Sequence, residues 1–224
     1  MHDPDFNPYL PPRAPVGFDE AKPHPVGPIA EGQPWLTIWT QPRRTFRGIV
    51  DANPDYLVLP LAALSGIADS LGQSSRQGAS SPLVTIAVAI VFGSIAGIIS
   101  LSILGFFITL TAHWLAGTAS RQETRAALAW SGIPGLAMLP LFLLILLTNA
   151  SGLHWAGLAV QASFAGMVLA IWGVVVGAKC VGEVNLFSAW RGFFTSILGG
   201  LLLVAIVALP LVGFALLVHG LNNG

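Results

Sequence analysis

Asp69 is the one acidic residue inside a long apolar block of this chain. A carboxylate held at mid-bilayer depth is expensive, so such a residue is a candidate for an ion or proton pathway. Ser70, Gly72, Gln73 and Ser74 follow at once, and that polar run equally fits a carboxylate at the outer water interface. His113, beside Trp114, falls at the end of the next apolar block. A lone histidine there reads as an interfacial residue first and as a proton carrier second. Ser100, Ser102, Thr109, Gln161 and Ser163 could line a polar path or hydrogen-bond between helices, where such bonds are worth about 0.6 kcal/mol on average. Gly93 and Gly97 in GSIAG, and Gly173 and Gly177 in GVVVG, form two G-x-x-x-G patterns. Two helices can approach closely at such sites, and packing within the chain is a simpler use of them than a dimer contact. Signatures of catalysis are absent: the chain holds no H-E-x-x-H, no G-x-S-x-G and no phosphate-binding glycine loop. One cysteine, Cys180, and five scattered histidines supply neither a disulfide nor a metal cluster. The expectation is therefore no enzyme, no cofactor and no metal.

The elements that position these residues follow from composition. The chain is 54% hydrophobic and 9% charged, against roughly 25% charged residues in a soluble domain, and its mean hydropathy is +0.74. Ten basic and ten acidic residues cancel, which removes a bulk attraction to nucleic acid. The apolar residues come as continuous runs and not as helical stripes, and a bilayer span needs about 20 of them. Five blocks qualify, over 55–71, 83–113, 126–148, 155–178 and 193–218. The fold class expected is an all-α polytopic membrane bundle of five transmembrane helices occupying residues 54–224. As one straight helix the second block would be about 46 Å long, against a hydrocarbon core of about 30 Å. Halving it leaves about 15 residues a side, too few to cross, so it reads as one crossing with a kink, bend or membrane-surface lead-in near Gly93 and Gly97.

The positive-inside rule supports that choice. Five spans with a cytoplasmic N-terminus put Arg13, Lys22, Arg43, Arg44, Arg47, Arg121, Arg125, Lys179 and Arg191 inside and leave only Arg76 outside. Splitting the second block would strand four of them on the far side.

Ahead of the spans, residues 1–33 carry eight prolines and no apolar run. This reads as a disordered tail, with a proline-rich docking ligand as the alternative, and it lacks the core of a cleavable signal. Residues 34–53 differ. Trp35, Trp39, Phe46, Ile49 and Val50 are interleaved with Arg43, Arg44 and Arg47, and Pro42 suits a first helical turn. Phe46, Ile49 and Val50 share one face, while the arginines gather on another. That is the pattern of an amphipathic interfacial helix, with tryptophans at headgroup depth and arginines toward anionic lipid headgroups.

Four strings, in order, resemble the bacterial Yip1-domain family. They are Trp39-Thr-Gln-Pro42-Arg-Arg-Thr45-Phe46-Arg47 with Asn53-Pro54, Gly117-Thr-Ala-Ser120, Trp130-Ser131-Gly-Ile133-Pro134, and Phe187-Ser188-Ala-Trp190-Arg191. The resemblance covers roughly residues 35–218. The resemblance implies an integral membrane protein of the cell inner membrane and does not specify an activity. Eukaryotic members carry Asp-Leu-Tyr-Gly-Pro before the first span, and this chain has Asp55-Tyr56-Leu57-Val58-Leu59-Pro60 instead. Their role in GTPase-linked vesicle traffic is therefore not carried over.

Two functions remain open on these grounds. One is a membrane-organising or adaptor protein whose partner surface is formed by Trp35, Trp39, Arg43, Arg44, Arg47, Phe187, Trp190 and Arg191. Both segments are expected on the same side of the membrane. The other is a small transporter or channel, built as a homo-oligomer. Its pathway would run along two interrupted helices and past Asp69, Gly93, Gly97 and His113.

Overall fold

Prolines set many of the helix starts. The computed structural model describes residues 33–77, 81–151 and 156–223, so the tail expected over 1–33 lies outside the described residues but for Gln33. Proline occupies one of the first two positions of α1 (Pro34–Thr40), α2 (Pro42–Ala52), α4 (Pro82–Val88), α7 (Ile133–Leu136) and α8 (Leu139–Ala150). At such positions its missing N–H would have no intrahelical acceptor anyway. The remaining helices are α3 (Val58–Gln77), α5 (Ser94–Trp114), α6 (Arg121–Ser131), α9 (Ala156–Val184) and α10 (Ala189–Asn223). A capping box starts α6: the Ser120 hydroxyl accepts from the Glu123 N–H, and the Glu123 carboxylate accepts from the Ser120 N–H. Every regular element among the described residues is helical.

Three helices are long and apolar enough to cross a membrane: Pro82–Trp114, Val160–Val184 and Ala189–Phe214. Arg121–Leu136 and Leu139–Asn149, bent by 47°, make a fourth if the pair is one span. The chain is thus an all-helical, multi-pass membrane protein. The second block is indeed one continuous crossing, since a π-helical turn, Ala89–Gly93, joins α4 to α5 without a break. Two expectations about regularity are corrected. The first block was expected to be interrupted, yet α3 runs unbroken for 20 residues. Pro60 lies in its first turn, where no intrahelical bond is lost. The third block was expected to be one helix, yet it is bent. Pro134 and Pro140 cannot donate to the preceding turn, and their rings clash with it.

Backbone contact fixes how α3 meets the second crossing. A Cβ added to Gly66 would stand 2.0 Å from the Gly93 carbonyl oxygen, and one added to Gly97 would stand 2.2 Å from that of Ala62. The first G-x-x-x-G pattern therefore serves packing within the chain. The second meets α6 more loosely: Cβ atoms on Gly173 and Gly177 would lie 3.8 and 3.5 Å from Ser131.

At one end of the bundle, Trp130 of α6 is fully buried, and its indole N–H donates to the Tyr56 carbonyl at 3.1 Å. Its ring packs against Trp35, 5.3 Å between centroids, and against Tyr56, at 6.0 Å. Ile38, Phe46, Ile49 and Val50 from α1 and α2 join the same core, together with Val176 and Val181 of α9. Elsewhere the exposed surface is apolar, including Phe92, Phe164, Leu201, Leu209 and Phe214, as a lipid-facing belt requires.

Gly97→Ala is expected to destabilise the folded protein by about 1–3 kcal/mol through overpacking. Gly48→Ala, whose Cβ would meet nothing within 4 Å, is expected to be neutral or slightly stabilising. Unfolding in detergent micelles followed by circular dichroism checks both, and equal midpoints would refute so close an α3–α5 approach.

Candidate functional site

The face of α2 that the sequence marks as apolar is buried against protein: Phe46 is 0% and Ile49 2% exposed. That burial turns two of its arginines toward the end of α9. Arg47 donates from Nε and Nη2 to Glu183 Oε1, both at 3.1 Å, and from Nη2 to the Glu183 carbonyl at 2.9 Å. Arg43 stands 3.7 Å from the other carboxylate oxygen and donates from Nη2 to the Phe187 carbonyl at 3.0 Å. A guanidinium beside the last carbonyls of a helix also meets the negative end of its dipole. Arg43 and Arg47 were expected to face lipid headgroups. They are instead committed to Glu183, and of the three only Arg44 is left exposed without such a bond. Trp35 and Trp39 likewise pack on the protein core, Trp35 against the Trp130 ring.

The turn from α9 to α10 is built to receive these groups. Leu186 takes a left-handed backbone with φ 56°, and the Phe187 N–H returns to the Gly182 carbonyl at 2.6 Å. Asn185 is buried. Its side-chain oxygen accepts from the Ala119 N–H at 3.3 Å, and its amide donates to the Val181 carbonyl at 2.9 Å. Gly117 packs on it so closely that a Cβ would stand 2.3 Å from Asn185 Oδ1. Arg191 lies 4.2 Å over the Phe187 ring and donates to the Leu115 carbonyl. The segments 34–52, 115–120 and 185–191 thus meet at one end of the bundle. Their outer surface carries Leu36, Trp114, Leu186 and Trp190, 64%, 66%, 78% and 73% exposed. Among the described residues, left-handed non-glycine residues occur three times, at Leu57, Ala116 and Leu186. All three stand in turns at this end, and such strain persists where the surroundings enforce it.

Away from that end, Asp69 stands between two cavities. The larger, about 1090 Å³, lies among α3, α7, α8 and α9; beside Asp69 it is lined by Arg76, Ser131, Asn149 and Ser163. The smaller, about 660 Å³, lies among α3, α5 and α6 and reaches Gly93 and Gly97. Ser65, Asp69 and Ser131 line both. Near the far end of α3, the Asn149 side chain donates to the Ser75 carbonyl at 3.3 Å. The structure brings Asp69, Gly93 and Gly97 together but not His113, which is exposed at the end of α5 and lines neither cavity.

Sequence reasoning missed Glu183 and Asn185. A usable signal existed for Glu183, the only acidic residue within reach of the otherwise basic loop after α9. Asn185 gave none, because a turn asparagine looks the same whether solvated or buried. Among the described residues no three His, Cys, Asp or Glu side chains stand together as metal ligands.

The family model described as the Yip1 domain matches residues 36–219. No curated protein and no solved structure matches the chain.

A double-mutant cycle on Arg47→Ala and Glu183→Gln is expected to return a coupling of about 1 kcal/mol, because two charge-assisted bonds meet on one carboxylate oxygen and the pair is only partly exposed. Unfolding midpoints of the four proteins in detergent measure it. A coupling indistinguishable from zero would mean that the contact holds nothing in place.

Proposed function

The chain belongs to the Yip1 domain family, and on that premise we propose that it is a membrane-organising or adaptor protein without catalytic activity, spanning the cell inner membrane five times. In this reading α3 is the first span, although its composition is more polar than that of the others. Twenty helical residues reach about 30 Å, the thickness of a hydrocarbon core. Its polar residues Ser65, Asp69, Ser75 and Arg76 line the larger cavity, while the lipid-facing surface is supplied elsewhere. The N-terminus is then cytoplasmic: Arg43, Arg44, Arg47 and Arg191 cluster at the end where α2 meets α9, and Arg76 lies toward the opposite end of α3.

The observation that carries the adaptor reading is the bonding of Arg43 and Arg47 to Glu183 and Phe187. It joins residues from both ends of the chain into one platform with Trp114, Leu186 and Trp190 on its surface. A preordered surface binds without paying again for its own ordering, and tryptophan is enriched among residues that dominate binding. Photo-crosslinking from positions 186 and 190 in cells is expected to capture one shared partner. Leu186→Ser with Trp190→Ser should abolish that capture at an unchanged folded level. Equal capture from the belt position Val204, 61% exposed, would overturn the reading.

A second reading, transport by an oligomer, is favoured by Asp69 standing between two cavities. Purified protein in liposomes would then pass ions or protons faster than empty liposomes, and Asp69→Asn would reduce that flux. No flux from either protein, with several ions and both pH gradients, removes this alternative.

A further inference from the structure

Among the described residues, Arg125 is the one arginine with a buried and unsatisfied donor. Its Nε is buried without a hydrogen-bond partner, the only such side-chain atom among the described residues. A buried donor left unpaired is destabilising by about 1–3 kcal/mol, and more when the group is charged. One turn earlier on the same face of α6, Arg121 lies 4.9 Å over the Phe106 ring of α5. The acids nearby are turned to other work. Glu123, two residues from each arginine and on the opposite face, closes the capping box with Ser120. The carboxylate of Asp55 accepts from Gln122, and Glu183 is held by Arg43 and Arg47. Two guanidinium groups therefore flank the α5–α6 groove with no carboxylate in ion-pair contact among the described residues.

The groove continues as an apolar track. Phe106, Ile103, Ile99 and Ile95 follow one another at helical spacing along α5, 40%, 43%, 52% and 52% exposed. They run from the arginines toward the middle of the Pro82–Trp114 crossing. Gly105 lets the stem of Arg125 lie against α5, since a Cβ there would stand 2.9 Å from Arg125 Cγ. Positive charge at the end of a span, adjoining an exposed apolar stripe that leads inward, matches an amphiphile with its charged group outward.

We propose that Arg121 and Arg125 bind the phosphate of an anionic phospholipid whose acyl chains lie along Phe106, Ile103 and Ile99. The Arg125 Nε is closed off by protein, so the phosphate is met by the two terminal nitrogens of Arg125 and by the exposed Arg121 guanidinium. A guanidinium fork gives phosphate oxygens two parallel hydrogen bonds, which a lysine cannot reproduce. Net negative charge is selected because two unpaired cations attract an anion and repel the amine of a zwitterionic headgroup.

The test uses the full chain in nanodiscs of phosphatidylcholine mixed with phosphatidylglycerol, with retained lipid identified by native mass spectrometry. Wild type is expected to retain phosphatidylglycerol in preference, and Arg125→Gln to lower that preference by about tenfold. Arg121→Gln, at an exposed position, keeps the test valid should Arg125→Gln fail to fold, and Arg125→Lys should recover only part of the preference. Arg44→Gln removes an exposed charge elsewhere and should change nothing. Equal retention of both lipids by wild type, or the same loss from Arg44→Gln, overturns the proposal. Displacement of phosphatidylglycerol by millimolar inorganic phosphate would also overturn it, by assigning the site to a free anion.

Discussion

Helices in a bilayer gain nothing by hiding leucine from leucine, because lipid tails are as apolar as the side chains. Association must come from close contact and from polar bonds, and this bundle uses both at separate places. Close contact is carried by backbone against backbone at Gly66, Gly93 and Gly97, where no side chain of any size fits. The same device recurs where Gly192 of α10 meets the Ala178 carbonyl of α9, at 2.3 Å from an added Cβ. Because α3 is pressed onto the second crossing in this way, its polar residues are turned to the cavities on either side. Asp69 stands where it does as a consequence of the glycine crossing.

Polar bonds are concentrated at the end where the chain turns most. There the Arg43 and Arg47 contacts with Glu183, the burial of Asn185 and the Trp130–Tyr56 bond replace the packing that short turns cannot provide. Each engages a backbone carbonyl or amide at or beside a turn. At the opposite end, Asn149 to Ser75 is the side-chain bond joining α8 to α3. One end is thus closely tied, while the cavities extend toward the other.

Much of this was legible from sequence. Pro42 at a helix start and the long apolar runs are local signals, and the helices follow them closely. The 31-residue second block was correctly one crossing because neither half could span. The apolar face of α2 was also legible, as Phe46, Ile49 and Val50. Its occupant was not, since lipid and a protein core present the same apolarity to those three residues. Arg47 and Glu183 are 136 positions apart, and no periodicity links them; only the fold makes Glu183 a closer partner than a headgroup. The bend in the third block was missed for another reason. Pro134 and Pro140 were visible, but hydropathy averages over them.

The misassigned arginines also change where lipid charge should be sought. A count of basic residues says which side of a membrane a loop occupies, and it treats every arginine alike. Pairing divides them: Arg43 and Arg47 share the one Glu183 carboxylate, which offsets one of their two charges and ties both to the structure, whereas Arg121 and Arg125 stand outside any ion pair beside an apolar stripe. In a low-dielectric surrounding an unpaired guanidinium is the more demanding of the two, so the groove between α5 and α6 is where an anionic headgroup has most to offer. If the proposed adaptor and lipid roles both hold, the platform and the groove divide one end of the bundle between them: the first is held together by internal contacts, and the second keeps two arginines outside any ion pair, beside an apolar stripe.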